Sequence, residues 1–167
     1  MKRLLPLLFT VIMVNAYAQT TPTKAFSAAL ELGIPTTSVY TVGFGGSGKA
    51  EVPLFNALSL SVTAGYTNFY YKSAPIGSAG SPDPAGFVPL KAGAKFFFGP
   101  GVYAEGELGT VLQTNYGKDS MFAYSIGPGL IFPTGNHTGI EVSFRYENWG
   151  GGLLRQTAIR AAYRLGW

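Results

Sequence analysis

From Thr157 to Trp167 the sequence alternates with a period of two. Thr157, Ile159, Ala161, Tyr163, Leu165 and Trp167 fall on one side, and Ala158, Arg160, Ala162, Arg164 and Gly166 on the other. Successive side chains of an extended strand point to opposite faces, so the segment is predicted to be a β-strand with one apolar and one basic face. Beyond the first 18 residues no stretch sustains a helical repeat. Alternating runs recur instead, at about 24–33, 39–54, 58–71, 87–98, 102–113, 121–132, 139–149 and 155–167, separated by Gly, Pro, Asn, Ser and Asp clusters.

The charges in these runs obey the same alternation. With the apolar residues of each run on one face, the other face gathers Glu31, Lys49, Glu51, Lys91, Lys95, Glu105, Glu107, Glu141, Arg145, Glu147, Arg160 and Arg164. Only Lys24 and Arg155, at the starts of the first and last runs, stand apart. A soluble sandwich would bury the apolar face against a second sheet and carry charge outside. Here only 12% of residues are charged, against about 25% in an average soluble domain, and no run offers a charged exterior. The apolar face therefore suits hydrocarbon and the charged face an enclosed lumen. A one-residue slip of any strand would exchange the faces, and a basic side chain at the bilayer midplane costs about 2–4 kcal/mol.

Eight such strands predict an all-β fold, an eight-stranded antiparallel up-and-down transmembrane β-barrel whose interior is just wide enough for side chains to fill. The outward set includes Phe26, Leu30, Leu32, Tyr40, Val42, Phe44, Leu60, Val62, Tyr66, Leu90, Phe96, Leu108, Tyr124, Ile126, Ile140, Val142, Phe144, Ile159, Tyr163 and Leu165. Phe98, Phe132 and Trp167 would join one aromatic girdle, and Tyr40, Tyr70, Phe122 and Tyr146 the other. Connections at 55–57, 99–101 and 133–138 are compact, those at 34–38 and 150–154 modest, and those at 72–86 and 114–120 longer, which places both chain ends on the periplasmic side. The run at 72–86, with three prolines, is the largest outer excursion.

The start of the chain has another character. Lys2-Arg3 is a basic head, Leu4 to Val14 an apolar core too short for a membrane helix, and Ala16-Tyr17-Ala18 an A-x-A site. Residues 1–18 are expected to be a signal peptide and residues 19–167 the barrel domain. Removal of Lys2 and Arg3 from the 12 basic residues leaves ten, against eight acids, so the overall basicity gives no reason to invoke nucleic acid. With no cysteine there are neither disulfides nor thiolate metal sites.

Several local expectations follow from this register. Gly43 and Gly45 would leave lumenal space for long charged side chains, and Pro128, between two glycines, would mark a bulge. A three-residue turn at 99–101 sets Lys95 opposite Glu105, and a turn centred between Gly152 and Leu153 sets Glu141 opposite Arg164. Phe97, Tyr103 and Trp149 would complete the filling. Chemistry is poorly supplied: His137, the only histidine, lies in the compact turn at 133–138 without a triad or ligand partner by spacing, and Glu105 and Glu107 face lysines. No catalytic residue, metal site or cofactor is implied.

The runs at 29–36, 49–66, 88–109, 122–132 and 141–149 resemble the small outer-membrane β-barrel domain proteins of Gram-negative bacteria, a family similar to the OmpA/OmpX-type eight-stranded barrels. The resemblance covers the mature chain and implies an outer-membrane location and outer-membrane lipid as partner. It also implies recognition by the barrel-assembly machinery through the terminal Tyr163, Leu165 and Trp167. The expected role is non-enzymatic, structural or in envelope interaction, with a closed lumen and a monomeric state. The alternatives are a small pore and a secreted lipocalin-like carrier of an apolar ligand, and the charged inner face opposes the carrier. Amino-terminal sequencing of the exported protein is expected to begin at Gln19; retention of Met1 would overturn the signal-peptide assignment.

Overall fold

The computed structural model describes residues 23–37, 39–72, 83–115 and 119–167. The expected signal peptide, residues 73–82 of the long connection and residues 116–118 of the next one lie outside the described residues. Eight strands follow in order: β1 (Ala25–Thr37), β2 (Tyr40–Phe55), β3 (Leu58–Tyr71), β4 (Ala85–Gly99), β5 (Val102–Gln113), β6 (Ser120–Pro133), β7 (Thr138–Trp149) and β8 (Leu154–Gly166). Each pairs with its successor, and β8 pairs antiparallel with β1, closing the barrel. The strands run from 12 to 16 residues, beyond the roughly 9–11 that a tilted strand needs to cross a bilayer. Among the described residues no helix is long and apolar enough to cross a membrane.

The period of two in the sequence becomes an alternation of burial. In β8, Leu154, Gln156, Ala158, Arg160, Ala162 and Arg164 are buried, while Tyr163 and Leu165 between and beyond them are exposed. Large apolar residues cover the outside, among them Phe26, Leu30, Val62, Leu108, Ile126 and Phe144. Closure is completed at the chain ends, where the Trp167 amide donates to the Lys24 carbonyl at 3.0 Å and the Gly166 amide to the His137 carbonyl at 2.6 Å. His137 itself is exposed in its turn, at the same end as the start of β1 and the end of β8.

Irregularities in pairing decide where the expected register fails. β1 continues past Gly33 to Thr37 because Pro35, opposite Gln156, sits at a bulge between Pro35 and Thr37 instead of ending the strand. A second bulge, between Tyr40 and Val42, changes the parity at the start of β2. Tyr40, expected on the outer girdle, consequently packs inward against Phe69, Tyr71 and Phe87. Pro128 forms no bulge: it opposes Ala104, and the β6–β7 ladder skips Gly127 and Pro128 but resumes in the same register at Gly129 opposite Ser143. Pro128 lacks an N–H to donate, and Gly127 lets the facing backbone come close, since a Cβ there would collide with the Phe144 carbonyl oxygen.

Lys95 does oppose Glu105 in the β4–β5 ladder. Glu141 and Arg164, by contrast, are two residues out of register, Glu141 facing Ala162 and Arg164 facing Gly139. The cause is the tight connection Gly150–Gly152, whose three glycines all have positive φ, so that β8 already begins at Leu154 opposite Trp149. A shift of two keeps both side chains on their face, and they remain diagonal neighbours. The space at Gly43 is also used differently from expectation: the Phe69 ring, and no charged side chain, occupies the place of its missing Cβ.

Candidate functional site: the barrel interior

The interior is stratified. Its middle and lower part, toward the chain termini, holds the twelve charged residues gathered by alternation, all buried except Glu31, whose side chain is 13% exposed. Its upper part, under the long connections, is apolar and aromatic.

The charges form one connected network built on two four-membered rings. In the upper ring, Lys91 Nζ lies 3.0 Å from Glu107 and 2.8 Å from Glu147. Arg145 closes it at 3.5 Å from Glu107 and 3.3 Å from Glu147. In the lower ring, Lys95 Nζ lies 2.5 Å from Glu51 and 3.1 Å from Glu141, and Arg164 lies 2.6 Å and 3.8 Å from the same carboxylates. Lys49 joins Glu105 to Glu107, which it approaches to 3.2 Å. Glu31 links the rings, 2.8 Å from Arg145 and 3.6 Å from Arg160, with Arg160 in turn 3.2 Å from Glu141.

Neutrality holds in each part as well as in the whole. Lys49, Lys91 and Arg145 balance Glu105, Glu107 and Glu147 around the upper ring; Lys95, Arg160 and Arg164 balance Glu31, Glu51 and Glu141 around the lower one. Buried ions persist only where partners and hydrogen bonds replace lost hydration. Polar side chains supply part of the remainder: Thr63 donates to Glu107 at 2.6 Å, Ser61 to Glu105 at 2.7 Å, Ser125 to Glu107 at 2.8 Å and the Gln156 amide to Glu147 at 2.8 Å. Ser47 donates to Glu31, and Arg160 donates to Ser27 at 2.8 Å. Tyr103 donates its hydroxyl to Glu141 at 2.5 Å, and Lys95 Nζ lies 4.1 Å from the centre of its ring.

Ladder opposition does not set these pairs. Although Lys95 opposes Glu105, Lys95 reaches Glu51 on β2 and Glu141 on β7, while Glu105 binds Lys49 on β2. In so narrow a barrel, long side chains from neighbouring strands run side by side to the axis and meet those of the opposite wall.

Above the charges, Phe69, Phe87 and Trp149 pack mutually with ring centroids 5.5–5.6 Å apart, flanked by Val111, Leu154 and Ala123 and by Tyr40, Tyr71 and Met121. Trp149 was expected inside; the cluster around it was not. Phe87 shares the inward parity of Lys91 and Lys95 on β4, and Phe69 that of Ser61, Thr63 and Thr67 on β3, the one signal that could have revealed it. Below the charges, Phe97 packs against Tyr103 with the rings tilted and their centroids 5.8 Å apart. Among the described residues there is no group of acids, histidines or cysteines arranged to hold a metal ion. Tyr163, Leu165 and Trp167 are exposed on the outer wall, away from the lumen.

No protein-family model matches this chain, and no curated protein matches its sequence. Solved structures do match. The outer membrane protein Ail of Yersinia pestis, determined in a phospholipid bilayer nanodisc, aligns with TM-score 0.56 at 14% identity over 86% of this chain and 100% of that one. Neisserial surface protein A aligns with TM-score 0.55 at 16% identity over 86% and 96%. A de novo designed transmembrane β-barrel aligns with TM-score 0.52 at 15% identity over 89% and 100%. At these identities the likeness is one of fold: the chain has the fold of the eight-stranded transmembrane β-barrels.

The network makes a quantitative prediction. Arg145→Met leaves the upper block with excess negative charge and should destabilise the folded barrel by about 3–5 kcal/mol, less where water enters. Adding Glu147→Gln restores the balance and should recover about 0.5–3 kcal/mol as a coupling energy. Urea titration of folded and unfolded bands on unheated gels measures both, and additive losses in the double variant would contradict the network.

Proposed function

We propose that this protein resides in the outer membrane of a Gram-negative bacterium as a closed, non-enzymatic barrel with a structural or envelope-interaction role. The carrying observation is the sealed interior, with an ion-paired middle under an aromatic layer, inside a wall whose exterior is apolar. A pore selective for ions would more naturally present rings of one sign along an open path. Here opposite charges fill the path and cancel. A lipocalin-like carrier would need an apolar cavity in place of that network. His137, the only histidine of the sequence, is exposed in the turn between β6 and β7 and lies outside the barrel interior.

In this proposal the mature chain starts at Gln19, with both ends in the periplasm. The barrel-assembly machinery reads Tyr163, Leu165 and Trp167 on β8, and the protein works as a monomer in contact with outer-membrane lipid. The alternation of apolar outward and charged inward residues along the strands supports this placement. So does the common fold with Ail and neisserial surface protein A, the first of them an outer membrane protein. Nucleic acid, metals and cofactors have no part in it.

Reconstitution of the folded wild-type protein into planar bilayers is expected to give no steady current. Reproducible, long-lived single-channel steps would defeat the closed-lumen proposal and put a small pore in its place.

A further inference from the structure

Of the charged side chains within the eight strands, one points outward. Arg155, the second residue of β8, lies on the face opposite Leu154 and Gln156, both buried in the interior. All eight acids of the chain are among the described residues, yet none forms an ion pair with it. An arginine facing lipid costs about 2–4 kcal/mol at the midplane and about 0–1 near the interface, so its height on the wall matters.

The registers give that height. Tyr124 on β6 opposes Asn148 on β7, and Asn148 opposes Arg155 on β8, so the three form one row across adjacent strands on the outer face. The next row toward the termini is Ile126, Tyr146, Thr157 and Ile34, and below it, down to Phe132 and Ile140, no outward residue on β6 or β7 is charged or carries an amide. The polar row thus lies near the top of the wall, with the exposed Phe122 and Leu153 beyond it, at the edge bearing the long connections.

Its chemistry is that of an anion site. Asn148, only 7% exposed, donates its amide to the Tyr124 hydroxyl oxygen at 3.3 Å, which leaves the hydroxyl proton free to donate outward. The Arg155 guanidinium lies beside Gly152, where a Cβ would come within 3.0 Å of it, so the missing side chain leaves its place open. Thr36 anchors the backbone beneath by donating to the Arg155 carbonyl at 3.2 Å. A guanidinium fork and a phenol hydroxyl in one row match the oxygens of a phosphate group.

We infer that Tyr124, Asn148 and Arg155 form a binding row for the phosphate headgroup of an anionic membrane lipid in the leaflet at the loop end of the barrel. This rests on the membrane placement proposed above. Tyr124 and Arg155 make the contacts, and Asn148 positions the tyrosine hydroxyl.

The test uses folded full-length mature protein in phosphatidylcholine vesicles with increasing phosphatidic acid, reading the thermal midpoint of the heat-modifiable band. The wild type should gain stability as phosphatidic acid rises. In Arg155→Gln the phosphatidic acid fraction needed for half of that gain should rise about fivefold, the factor equivalent to about 1 kcal/mol for one cation near an anionic surface. Tyr124→Phe should raise it by a smaller factor. Lys72→Gln, which removes a charge at the same end but off the row, should match the wild type. Equal losses in Arg155→Gln and Lys72→Gln, or no wild-type response, would overturn the site. A wild-type gain reproduced by inorganic phosphate in pure phosphatidylcholine would overturn the lipid as its ligand. Absence of a heat-modifiable band in every vesicle would refute the membrane placement itself, an outcome distinct from the others.

Discussion

A charged side chain turned toward hydrocarbon loses its hydration and gains no partner, and the architecture of this protein depends on avoiding that state. Twelve acids and bases alternate with large apolar residues along the strands, and only registers of one parity keep all of them off the lipid face. Closure meets a second demand of the same solvent, since every backbone N–H and C=O at membrane depth needs an internal partner and an open sheet edge has none. The pairing of β8 with β1 removes both edges.

Turning charges inward creates a new requirement, because a lumen lined by eight strands is too narrow to hydrate them as bulk water would. The structure meets it by division into two neutral blocks joined through Glu31, each satisfied further by Ser, Thr, Tyr and Gln side chains. Such a network is weak evidence of stability, because the desolvation of its members offsets much of their attraction. What it supplies is mutual dependence: each carboxylate is held by at least one cation from another strand, so a misplaced strand leaves partners unpaired in several others. The aromatic layer above, centred on Phe69, Phe87 and Trp149, closes the same lumen with apolar packing where the charges end.

The face on which a side chain lies was legible in the sequence wherever the period of two ran unbroken, as it does through all twelve lumenal charges. It failed at Tyr40, because a single bulged residue inverts parity and leaves no mark in composition. It failed at Pro128 in the other direction, since a proline can be accommodated by dropping two ladder pairings without any shift in register. The opposition of Lys95 and Glu105 could be derived because a short turn determines it, whereas the positive φ values of Gly150, Gly151 and Gly152 move β8 by two residues against β7. Partner choice was least accessible. Which charges meet across a lumen depends on shear and side-chain length in three dimensions, and neither is written in the spacing along one strand.

The central claim, that apolar residues face lipid and the charged set faces a sealed interior, is tested most directly by single-cysteine labelling, which the absence of native cysteine makes clean. Along β7, an environment-sensitive fluorophore at Ile140→Cys, Val142→Cys or Phe144→Cys should be quenched by nitroxide-bearing lipid, and the same label at Ser143→Cys should not. Quenching without alternation, or strongest at Ser143, would contradict the account.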